Sequence, residues 1–194
     1  MNQFLSKAAF FLALGSMASI GQAQSPTASV TGGTTTLQLN AAFVNGLRSL
    51  GATITDLHSN ALVNNSVVLP AVTGAIDTLT LEGEVEHTFG VIINANGNII
   101  RVENFTLDNT NPAAPSFTAD FIFFSRFQGR FQVFNFQRPN GVTVSADLFQ
   151  ENGLTLTLAA PTVATMNALF GAQVLQTGTL VGTANVNTVL APTN

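Results

Sequence analysis

The chain has 194 residues, of which 8% are charged, about a third of the share usual in soluble proteins. It has no cysteine, which excludes disulfides, thiolate metal sites and thiol catalysis. Ten carboxylates stand against six basic residues, of which Lys7 is the only lysine, a balance that excludes nucleic acid and fits an anionic membrane surface poorly.

In chain order, the first element is a leader. Lys7 precedes the apolar run Ala8 to Ile20, and Gly21-Gln22-Ala23 places small residues at the −3 and −1 positions of a signal-peptidase site. The run is shorter than the roughly 20 residues that span a bilayer. A cleaved signal over residues 1–23 is therefore expected. The mature chain would be exported, to the periplasm or beyond the cell, with no transmembrane segment. Gln24 to Gly33, rich in Gly, Ser, Thr and Pro, reads as a flexible lead-in, and Ala191 to Asn194 as a tail. Residues 34–190 between them read as one β-rich domain of ordinary size.

Two segments near the ends of that domain repeat one another. Thr35 to Ile54 aligns with Leu154 to Val174, with Phe170 as one extra residue, and Thr36/Thr155, Leu37/Leu156, Leu39/Leu158, Val44/Val163 and Gly51/Gly171 are among the matches. Each copy begins with the T-x-L alternation of a half-buried strand and continues with apolar residues at helical spacing. Asn40 suits an N-cap, Pro161 a first helical turn, and Gly51 and Gly171 the positive φ that ends a helix. Each copy is a predicted strand–short helix–strand unit.

The middle of the chain lacks helical periodicity. Thr78 to Phe89 alternates, Asn96-Gly97 separates two apolar runs as a hairpin turn, and Asn140-Gly141 marks a further tight turn. Ser116 to Gln137 reads as a hairpin turning near Arg126 to Gly129. Ten of the sixteen phenylalanines lie between Phe105 and Phe149. In this ribbon Phe117, Phe121 and Phe123 share one face and Ile122 and Phe124 the other, while Phe131 and Val133 oppose Phe134 and Phe136. Either both faces are buried, or one is an apolar binding surface for which Phe121, Phe123 and Phe131 are the candidate contacts. Arg126 and Arg130 flank it, and with Arg138 they stand where a ligand carboxylate would be met. The whole reads as mainly β: a β-sandwich or barrel-like sheet of about eight to ten strands with two short helices.

Residues for chemistry are few. His58 and His87 are the only histidines, without the spacing of a metal site. Glu82, Glu84 and Glu86 at alternate positions read as a solvated strand face. No nucleophile elbow, zinc-protease helix or phosphate loop occurs. A non-catalytic domain binding a protein or cell-surface partner, a surface polymer or itself is the expected function, with no metal.

The stretch Leu81 to Leu107, LEGEVEHTFGVIINANGNIIRVENFTL, resembles the HtaA type of secreted bacterial all-β domain, a type associated with haem capture. The resemblance implies an all-β fold and makes haem, or another apolar ligand, the alternative to a macromolecular partner. It also implies that His87 supports an iron-ligating tyrosine near the N-terminal helix. This chain has no tyrosine, and Asn40 to Leu50 offers Phe43 instead. Tyrosine ligation of haem is thus excluded, and His87 is the residue left to ligate.

Overall fold

A computed structural model describes residues 26–192 except 60, 96, 140, 141, 146 and 172. The leader, Asn96 and the Asn140-Gly141 turn lie outside the described residues. The strands are β1 (Thr27–Leu39), β2 (Ala52–Asp56), β3 (Ser66–Asp77), β4 (Gly83–His87), β5 (Gly90–Ala95), β6 (Asn98–Asp108), β7 (Ser116–Phe123), β8 (Arg126–Gln137), β9 (Val142–Val144), β10 (Leu148–Leu158) and β11 (Leu180–Pro192). Helix α1 (Ala41–Ser49) follows β1, and α2 (Ala160–Phe170) follows β10.

Eight of these strands close a barrel in the order β6-β4-β3-β1-β11-β10-β8-β7, with β7 returning to β6. All pairings are antiparallel. The other three are branches: β5 and then β2 extend from β6, and β9 pairs with β10. Strand β6 carries both β4 and β5 on one edge, β5 against Asn98–Glu103 and β4 against Thr106–Asp108. At the break between them Phe89 and Asn104 adopt positive φ, and the Asn104 N–H donates to the Phe89 carbonyl at 3.0 Å.

The expected barrel-like sheet with two short helices is what forms, with eleven strands among the described residues where about eight to ten were expected. Three expectations about extent are corrected. Thr27 to Gly33, read as a flexible lead-in, is the first half of β1, and Ala191 and Pro192 of the expected tail end β11. The main chains of β1 and β11 close so tightly at Gly33 (φ 116°) that a Cβ there would lie 2.3 Å from the Asn187 carbonyl oxygen. Glycine here therefore serves a strand, not a linker. The phenylalanine hairpin turns at Phe124-Ser125, both at positive φ (46° and 62°), and not near Arg126 to Gly129. A two-residue turn with positive φ at both positions matches strand twist, which outweighs the penalty on two non-glycine residues.

The repeated units behave as the sequence suggests locally and differently in the sheet. Asn40 caps α1 by accepting from the Ala42 N–H at 2.8 Å, Pro161 sits in the first turn of α2, and Gly51 (φ 76°) and Gly171 (φ 67°) end the two helices. The strand after α1 hangs on β5, whereas the strand after α2 threads the barrel between β1 and β10.

Inside the barrel lie Leu37, Leu69, Ile100, Phe105, Phe117, Phe121, Leu154 and Leu156, all essentially without solvent exposure. Each such side chain contributes about 1.5–3 kcal/mol on leaving water. Outside, β1 and β11 present Thr34, Gln38, Asn185 and Asn187. This apolar-in, polar-out alternation is the inverse of a lipid-embedded barrel. No helix among the described residues is long and apolar enough to cross a membrane.

Candidate functional site at the helix end of the barrel

His87 lies inside the barrel, 3% exposed, with both ring nitrogens engaged. Nε2 is 2.7 Å from the Thr35 hydroxyl, and Nδ1 is 3.1 Å from the Phe105 carbonyl oxygen. A carbonyl only accepts, so Nδ1 carries the proton and Nε2 accepts from Thr35. Burial lowers the His87 pKa to about 4, against the smaller opposing effect of hydrogen bonds to Phe105 and Val85. The hydroxyl–imidazole pair has the form of a nucleophile and its base. The Thr35 hydroxyl is fully buried, however, and only the His87 side of the pair borders a groove, shared with Glu84, Glu86 and Arg130. No ring nitrogen is free for iron: the residues present do not fit a haem ligated by His87.

Of the remaining sequence candidates, Arg130 and Phe131 line a groove of about 600 Å³ together with His87, whereas Phe121, Phe123 and Arg126 lie elsewhere along the phenylalanine ribbon. Phe121 is buried and meets half-buried Phe131 edge-on at 5.4 Å between ring centres; Phe123 is half-buried. Arg130 pairs with Asp120 at 3.0 Å and also donates to the Thr106 hydroxyl. Arg126 is exposed and makes no ion pair among the described residues. His58 is exposed in the turn after β2, its ring 4.7 Å from that of Phe89. Among the described residues no group of three or more histidines and carboxylates is placed to hold a metal.

Sequence reasoning missed a buried ion pair. Glu151, fully buried on β10, accepts from the Arg138 Nε, while Glu151 Oε2 and Arg138 Nη2 find no hydrogen-bond partner among the described residues. Burial pushes the Glu151 carboxyl up and the Arg138 guanidinium opposes it. Such a pair is a poor source of stability, because desolvation offsets most of the attraction.

A groove of about 520 Å³ opens at the helix end, between α1 and residues 174–180. Its apolar wall is Phe43, Leu47 and Leu175, and its rim carries Asn40, Ser49 and Thr179. The same three apolar side chains also line a cavity of about 50 Å³ inside the barrel, which reaches down to Phe105 and Phe121 and has a wholly apolar lining. Groove and interior are thus separated by one layer of side chains. The groove has the size and the apolar-wall, polar-rim composition of small-ligand sites. Gly46 sits within α1 and lines the groove, and nothing lies within 4 Å of where its Cβ would be. Packing does not require a glycine there, and glycine inside a helix costs about 0.5–1 kcal/mol relative to alanine. A larger side chain at this position would stand in the open groove. No sequence motif announced it; an unforced glycine in a predicted helix was the available signal.

These features define a helix-capped antiparallel barrel with a filled interior and an open groove at one end. No protein-family model and no curated protein matches the chain. Its fold is similar to that of the C-terminal domain of HtaA from Corynebacterium glutamicum, with a TM-score of 0.66 over 84% of this chain and 99% of that one, at 16% identity. The HtaA-like fold is therefore established for the chain, and the likeness at that identity is one of fold.

Proposed function

We propose that the protein is an exported, non-catalytic binding domain that takes an apolar ligand or an apolar segment of a partner in the groove between α1 and residues 174–180. The observation that carries this reading is Gly46, a helix-weakening residue with no packing reason that leaves an apolar wall accessible. The burial of the Thr35–His87 pair supports binding over catalysis. Export rests on the leader-like residues 1–23.

Haem is the specific alternative that the resemblance raises. With tyrosine absent and His87 bonded at both nitrogens, haem would dock through its apolar edge alone.

The test is a titration with haemin and with anilinonaphthalene sulfonate. Gly46→Ala should be more stable by about 0.5–1 kcal/mol and bind both probes more weakly than the parent. Gly46→Trp should fill the groove and lose the binding while melting like the parent. Equal binding by the Gly46→Trp variant overturns the groove. A Soret band lost on His87→Ala but kept in Gly46→Trp would replace this reading with haem ligation.

A further inference from the structure

The start of β6 and the β7–β8 turn lie side by side and form one tip. Ile100 pairs with Phe123, and the Phe124 N–H donates to the Ile99 carbonyl at 3.4 Å. This tip lies at the α1 end of the barrel, because Ala95 pairs with Ala52, just after that helix. Its large side chains stand in water: Ile99 is 46% exposed, Phe124 56% and Phe127 64%. None of them lines the groove or the cavity described above. Phe124 also holds a left-handed backbone (φ 46°), costly for a bulky residue. Its ring meets that of Phe123 at 4.5 Å between centres, yet more than half of its surface stays in water. Arg126 is the only charge between Ile122 and Gly129, and Val91 to Ile100 carries none.

We propose that this tip inserts into the surface of an anionic lipid bilayer, with Ile99, Phe124 and Phe127 entering the interface and Arg126 meeting the headgroup phosphates. A convex apolar tip suits a fluid surface that moulds around it, whereas a folded partner would need a matching cavity. Interfacial binding of this kind combines buried apolar area with attraction of a cation to anionic lipid. The acidic net charge makes the chain as a whole a poor match for an anionic surface, but exposed charges beyond about 10 Å are largely screened at ordinary ionic strength, which leaves the local charge of the tip to act.

The chain lacks tryptophan and tyrosine, so one introduced tryptophan is a clean reporter in the full-length protein. Phe127→Trp should move its emission to shorter wavelength on vesicles of phosphatidylglycerol and phosphatidylcholine. Adding Arg126→Gln should weaken the apparent affinity about fivefold, the contribution of one cation at such a surface. Leu79→Trp is the control: Leu79 is 74% exposed in the turn after β3, whose last residue Asp77 pairs with Thr27 at the opposite end of the barrel. Its emission should not move, which separates tip insertion from any binding through the N-terminal residues. An unmoved Phe127→Trp overturns the proposal and leaves the tip to a protein partner. Equal shifts at both positions, or equal binding to purely zwitterionic vesicles, overturn it as well.

Discussion

The root and the tip of the phenylalanine hairpin use one residue type in opposite ways. At the root, Phe117, Phe121 and Phe136 are at most 3% exposed, and the Phe117 and Phe136 rings lie 5.5 Å apart. At the tip, Phe124 and Phe127 are more than half exposed. The difference is one of strand phase and position. Residues facing inward within the closed ring join the core, whereas a hairpin that outruns the ring has no interior left to face. Aromatic content alone therefore does not separate stability from contact.

The sharpest way to break that comparison is to truncate one ring at each end. Phe117→Ala should cost about 3–5 kcal/mol, as a buried aromatic leaving a cavity. Phe127→Ala should stay within about 0.5 kcal/mol of the parent. Denaturant unfolding checks both, through a lower midpoint at unchanged slope in the first case only. Comparable losses would mean that the tip is core.

Acid probes the interior by another route. His87 has a folded pKa of about 4 against 6.5 in the unfolded chain, so between those values the unfolded state binds the extra proton. Stability should therefore fall by about 3 kcal/mol as the pH drops from 6.5 to 4. Glu151 acts in the opposite sense: its carboxyl is raised, so its stabilising contribution is present at low pH and lost as the pH rises through its folded value. Melting curves of the parent and of Glu151→Gln across this range separate the two. A parent whose stability is flat between pH 6.5 and 4, with Glu151→Gln equally flat, would contradict the buried neutral histidine.

The smallest effect concerns the turn. Phe124→Asn should stabilise the protein by up to about 0.5 kcal/mol, because relief of the left-handed backbone outweighs the loss of the exposed ring's contact with Phe123. The same substitution should weaken vesicle binding. A gain in stability with a loss of binding is the signature of a residue kept for contact, and a loss in both would show that Phe124 supports the fold.

The parts of the fold legible in the sequence were those fixed by local chemistry. The T-x-L strands, the Asn40 cap and the helix-ending Gly51 and Gly171 act within a few residues of themselves, and the structure has them all. The β5–β6 hairpin also forms where expected, with Ala95 opposite Asn98. What escaped depends on partners distant in sequence. Gly32-Gly33 resembles a linker until β11 presses against it. Val133 and Phe134 are both buried because the β7–β8 pairing slips between Phe117 and Thr118, so strict alternation misplaces one of them. Arg138, just past the end of β8, meets Glu151 on β10, and no spacing rule links them. In the groove, Phe43 and Leu47 were legible as the apolar face of a helix, but Leu175 belongs to a segment without regular structure.

The most direct test of groove binding is amide chemical-shift mapping of the protein with anilinonaphthalene sulfonate. The account predicts that the resonances that move belong to Asn40 to Leu50 and Val174 to Leu180, with those of Thr35, His87 and Phe105 unchanged. Shifts centred on His87 or spread over the outer faces of β1 and β11, with α1 silent, would contradict it.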